Sequence, residues 1–134
     1  MTDVAICRDE NLESGRFRGV EQLAADPRLL AAIREFDRAG KWLGAICAGP
    51  LVLQAAGILG GRQATCHPAA AAKLTATGRR TERVVVDRRL VTSQGPGTSF
   101  DFALTMVRLI DGAEQAATLA DSMVLREQRT KTET

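Results

Sequence analysis

The stretch 41-KWLGAICAGPLVLQAAG-57 decides how this chain folds. Its first six residues form a short apolar run that reads as a buried strand. Pro50 then opens a helix, since its missing N–H is not needed at a first helical position. "LVLQAA" continues that helix and Gly57 closes it. A strand that turns at once into a helix is the backbone of a nucleophile elbow. Small residues two before and two after the apex let strand and helix approach closely. Here those residues are Ala45 and Gly49, so the apex is Cys47. A thiolate at that point would face free amides and the positive end of the helix, a setting that lowers cysteine pKa values to roughly 3.5–7.5. The other reading is a buried, inert thiol at a strand end, because free cysteine is among the most buried residue types.

Working outward, the same alternation recurs on both sides. "DVAIC" reads as a strand followed by a polar loop, and "GVEQLAAD" as a short helical turn. Asp26-Pro27 marks a helix start, with Asp as cap and Pro at the first helical position. Leu29, Leu30, Ile33 and Phe36 then recur at helical spacing until Gly40. After Gly57 the sequence predicts a strand over residues 62–65, a loop at Cys66-His67-Pro68, and a loose helix over "AAAAKL". "ERVVV" and "RLVTS" predict a tight hairpin. Thr98, with Asp101 three residues on, predicts a capped helix over "SFDFALTMVRLI". That helix is apolar on most sides, which predicts burial. Gly112 separates it from a last helical segment, and a polar tail begins at about residue 126. Strands alternating with helices predict an α/β sandwich around a largely parallel sheet, as one domain over residues 1–134.

Composition excludes several classes. The 134 residues carry 18 basic and 16 acidic side chains, a net charge of +2 that gives no electrostatic case for nucleic acid or an anionic membrane. No apolar run approaches the roughly 18 residues of a membrane span. The opening residues lack the basic start and apolar core of a signal peptide. Cys7, Cys47 and Cys66 form an odd set without disulfide or zinc spacing. A reduced, cytoplasmic setting is expected.

His67 is the one histidine, so any imidazole in a site must be this one. It follows the expected 62–65 strand, and active crevices of parallel sheets lie at the carboxyl ends of strands. Cys47 and His67 would meet there; the alternative is a surface loop histidine. Cys66 beside His67 does not make a metal set, and no metal or cofactor is expected. "SQGPGTSFDFA" lacks the Lys-Ser/Thr ending of a phosphate loop. It reads instead as a turn and capped helix lining a pocket wall.

Taken in order, "AICAGP", "TCHP" and "TSQGPGTSFDFAL" resemble the Parkinson-disease protein deglycase family, within the larger PfpI-like superfamily. The resemblance runs from about Gly19 to Leu125, and "DVAICRDENLE" is similar to an earlier family segment. It implies a flavodoxin-like three-layer α/β sandwich, truncated at its N-terminal side. It also implies a homodimer without cofactors, a reactive Cys47 and a neighbouring His67. Backbone donors at Ala48 and Gly15 are implied to steady an oxyanion. Cys7 matches a family cysteine near the dimer interface. Ala48 stands where protease-like branches carry a histidine, which places the chain on the deglycase-like branch. The family's glutamate partner for the thiolate lies on a strand that would precede this chain. A second strand, ending in paired glycines, has only Gly15 of Ser14-Gly15 to match it. Glu10 and Glu13 are nearby in sequence and nothing assigns them that role.

The function expected from the resemblance is a cysteine-based deglycase or glyoxalase, acting on methylglyoxal or early glycation adducts. Two alternatives are an oxidative-stress sensor or chaperone working through oxidation of Cys47, and an inactive family member.

Overall fold

The structure, a computed structural model, describes residues 4–7 and 18–125. Asp26 opens the longest N-terminal helix as expected. Its carboxylate accepts from the Arg28 amide at 2.9 Å, and Pro27 occupies the first helical position. The described elements are β1 (Val4–Cys7), α1 (Arg18–Ala24), α2 (Pro27–Arg38), β2 (Trp42–Ile46), α3 (Pro50–Ala55), β3 (Val84–Asp87), β4 (Leu90–Ser93), α4 (Ser99–Asp111) and α5 (Ala113–Ser122). Gly40 takes a φ of +70° just beyond α2, the left-handed conformation that ends a helix most cheaply at glycine.

The sheet has the order β1-β2-β4-β3. β1 and β4 both run parallel to β2, and β3 returns antiparallel to β4 through the tight Arg88-Arg89 turn. Period-2 alternation then sorts the side chains. Leu43, Ala45 and Leu90 face the layer of α1, α2 and α3, where Ile33, Val52, Leu53 and Leu59 are almost completely buried. Ile46 and Val91 face the opposite layer, against Phe102 and Met106 of α4. Helices on both faces of one largely parallel sheet make the three-layer, flavodoxin-like α/β sandwich. Truncating a core leucine such as Leu53 to alanine costs about 2–5 kcal/mol on general grounds. Gly44 marks where α4 comes closest. A Cβ there would lie 3.0 Å from the Phe102 ring and 3.4 Å from the Met106 methyl.

The loose helix expected over "AAAAKL" is a 3-10 helix, Pro68–Lys73. Two local expectations are corrected. Residues 62–65 form no strand; Ala64 makes a single bridge to Arg79. The Thr65 amide donates to the Thr92 hydroxyl at 3.0 Å, so a side chain takes the place of a neighbouring strand. α4 is buried only at Phe102 and Met106, and Phe100 is 57% exposed. An all-round apolar sequence there covers one face of the sheet without being enclosed.

Candidate active site

Cys47 follows β2 directly and has a φ of +64°. For a residue with a Cβ this region costs on the order of 1–3 kcal/mol, and it persists only where the surroundings fix it. Three backbone hydrogen bonds do so. The Cys47 amide donates to the Ser93 carbonyl at 3.2 Å, extending the β2–β4 pairing past the strand end. The Gly49 amide closes the turn onto the Ile46 carbonyl at 2.9 Å. The His67 amide donates to the Cys47 carbonyl at 2.8 Å. The expected elbow is therefore present, with Pro50 opening α3 immediately after it. Cys47 is 3% exposed, so the thiol is almost completely covered.

Ala48 lies fully buried at the head of the turn, and among the described residues its amide has no protein acceptor. Because α3 has only six residues, its aligned peptide dipoles are few. Gly15 falls outside the described residues, as do Glu10 and Glu13.

His67 comes to the same place from the loop before the 3-10 turn. Its Nδ1 accepts from the Ala69 amide at 3.0 Å and so caps that turn. A neutral imidazole whose Nδ1 is an acceptor carries its proton on Nε2. The ring edge that bears Nε2 faces Gly95. A Cβ built on Gly95 would lie 3.1 Å from His67 Cδ2, 3.9 Å from His67 Nε2 and 3.5 Å from Cys47 Sγ. The two side chains thus border the same space beside Gly95. Its φ of 171° is extended and open to any residue, so space and not conformation requires glycine.

The loop that carries Gly95 is fixed from below. Thr98 precedes α4 but makes no side-chain cap, contrary to the expected capping box. Its hydroxyl lies 2.6 Å from the Ser93 hydroxyl and accepts from the Gly95 amide at 3.1 Å. Asp101 pairs instead with Arg83, whose guanidinium also donates to the Gly97 carbonyl at 2.6 Å. The "SQGPG" turn does line the site, as the sequence predicts. What the sequence did not reveal is that a side chain at Gly95 would run into both candidate residues and that Thr98 works for the loop. The close glycines were the available signal; the long-range contacts left none.

Cys66 is the structural cysteine of the pair. It is fully buried, its thiol donates to the His67 carbonyl at 3.4 Å, and burial pushes its pKa up while Arg79 pulls it back. Among the described residues no group of three or more His, Cys, Asp or Glu could hold a metal ion, and no helix is long and apolar enough to cross a membrane.

An α/β sandwich with a strained cysteine at a strand-to-helix apex, facing a histidine across a glycine, defines a class of thiol-centred proteins. Residues 15–109 match the DJ-1/PfpI family, and the chain belongs to that family. The chain is 35% identical over 141 residues to the Parkinson disease protein 7 homolog of Danio rerio, covering 93% of this chain and 75% of that protein. It is 38% identical to the glutathione-independent glyoxalase DJR-1.2 of Caenorhabditis elegans, over 80% of this chain and 58% of that one. The crystal structure of Drosophila melanogaster DJ-1beta superposes with a TM-score of 0.82 at 26% identity, covering 92% of this chain and 64% of that one. The chain therefore spans between about three fifths and three quarters of the length of these three relatives.

Proposed function

We propose that this chain is a cofactor-independent, cysteine-based enzyme of the glyoxalase or deglycase type, with Cys47 as nucleophile. The observation that carries the reading is the strained apex at Cys47, whose Sγ borders the same space beside Gly95 as the Nε2 edge of His67. The name of the worm relative points to the same chemistry. With methylglyoxal, Cys47 Sγ bonds to the aldehyde carbon and the carbonyl electron pair moves to oxygen. The thiol proton ends on that oxygen, giving a hemithioacetal. Transfer of the remaining hydrogen from this carbon to its neighbour, as a proton, with the hydroxyl proton passing to the neighbouring oxygen, oxidises the first carbon to a thioester and reduces the second to an alcohol. Water then cleaves the carbon–sulfur bond, releasing lactate and the thiol. No external oxidant or reductant is needed.

His67 serves in this scheme as a hydrogen-bond donor through Nε2. Acting as a base would require its Nδ1 to give up the Ala69 amide. The Ala48 amide, and by resemblance that of Gly15, steady the developing oxyanion. The nearly closed thiol favours a small dicarbonyl, or the small end of a glycation adduct. A homodimer of single-domain protomers in a reduced, cytoplasmic setting completes the reading.

The test is conversion of methylglyoxal to lactate by the purified chain. Turnover that vanishes in Cys47→Ala supports the proposal. Absence of turnover by the wild type at high enzyme concentration overturns it. Light scattering at twice the chain mass is the expected result for the dimer.

A further inference from the structure

Arg79 lies outside the cysteine–histidine pair, yet its guanidinium reaches the residue before each of the two groups that shape the site. Nε donates to the Cys66 carbonyl at 3.0 Å, one residue before His67. Nη2 donates to the Gln94 side-chain oxygen at 2.8 Å, one residue before Gly95. The Gln94 amide nitrogen then donates to the Thr81 and Glu82 carbonyls at 2.8 and 2.9 Å, returning the network to the segment that carries Arg79. The backbone follows the same path: Arg79 bridges Ala64, and the Arg80 amide donates to the Ala64 carbonyl at 2.9 Å.

We propose that Arg79 is a positioning residue that sets the spacing between His67 and Gly95, and through it the seat of substrate at Cys47. The proposal rests on the reading of Cys47 as nucleophile. No strand pairing holds the His67 loop, because residues 62–65 make one bridge only. The Thr65 and His67 amides anchor it at two points, and the Arg79 fork is the side chain that ties it to the Gly95 loop. A planar fork with several N–H donors can hold two acceptors at a set angle, which a lysine ammonium cannot do. The site leaves little slack, since the Gly95 Cβ position is already 3.1 Å from the His67 ring. A displacement of about 1 Å at a reacting group can cost on the order of a hundredfold in rate.

The test compares Arg79→Lys and Arg79→Met with an Arg80→Gln control, which removes only an exposed pair with Glu82. In both Arg79 variants kcat for methylglyoxal is expected to fall by about tenfold or more, with KM changed less than about threefold and the methionine variant lower than the lysine one. The control keeps the wild-type rate. Alkylation of Cys47 by iodoacetamide provides a readout independent of turnover, and its rate is expected to change in both Arg79 variants but not in the control. Wild-type kcat and wild-type alkylation in Arg79→Met would overturn the positioning role. If the wild type itself fails to turn over, the reading of Cys47 as catalyst falls, while alkylation still decides what Arg79 does. Should both Arg79 variants fail to fold, Gln94→Leu removes the far end of the same fork, and unchanged alkylation in it overturns the proposal.

Discussion

The backbone amide of His67 donates to the carbonyl of Cys47 at 2.8 Å, so the two candidate residues are joined through main chain before their side chains meet. The Cys47 amide is taken by Ser93 on the other side. The N–H and the C=O of Cys47 are thereby both committed to holding the apex, which leaves the Ala48 amide as the donor of the turn nearest the thiol.

That fixation has a measurable cost. Cys47→Ala is expected to abolish turnover while keeping the unfavourable φ. Cys47→Gly should abolish turnover as well but relieve the backbone. In urea titrations the glycine variant is expected to be more stable than the alanine variant by about 1 kcal/mol, the reverse of the usual order within a regular element. An alanine variant that is the more stable of the two would mean the apex stores no strain.

Gly95→Ala tests the space that the two side chains border. The added methyl needs the His67 ring to yield by a few tenths of an ångström, while the extended backbone accepts alanine without strain. Turnover is expected to drop by about tenfold or more, with less than about 1 kcal/mol lost in stability. Wild-type turnover in this variant would show that the Cys47–His67 spacing is not critical.

Thr98→Val leaves the Gly95 amide without its acceptor and removes the Thr98 contact of the Ser93 hydroxyl, which keeps its bond to the Arg83 carbonyl. A loss of about 2 kcal/mol in a denaturant titration is expected. Thr98→Ser keeps the hydroxyl and should recover most of it; an equal loss in both would show that the hydroxyl bonds are not what sets the stability of this loop.

Cys66 gives the stability a pH dependence of known sign. Burial raises its folded pKa above the ordinary value of 9.0, with Arg79 opposing. Below that value both states hold the proton, and the full contribution is present. As pH rises past it, the unfolded thiol ionises first and stability declines. Wild type and Cys66→Ala, titrated with urea from pH 8 to about 10.5, should converge towards the alkaline end. Parallel curves would show that the thiol does not ionise differently in the two states.

The elements legible in the sequence were those with local punctuation. Asp26-Pro27 and Gly40 delimit α2, Gly57 follows α3, and the Ala45–Pro50 pattern identified the apex. Each depends on a backbone preference of the residues themselves. The misread elements depended on distant partners. Residues 62–65 looked like a strand, but Thr65 bonds a threonine hydroxyl on β4. α4 looked enclosed because apolar content does not say how many faces a neighbour covers. Arg79, Gln94 and Thr98 act across loops through side-chain hydrogen bonds, for which spacing along the chain carries no signature.

The two strands that present the site, β2 and β4, lie at the centre of the described sheet. Cys47, His67, Arg79, Gly95 and Thr98 all fall between the start of β2 and the start of α4. The thiol's placement is thus written in one continuous passage of the chain. The elements before Trp42 buttress that passage from outside it, β1 by pairing with β2 and Val20 and Ile33 by packing under Leu43 and Ala45, so a change there reaches the thiol only through the strand that carries it.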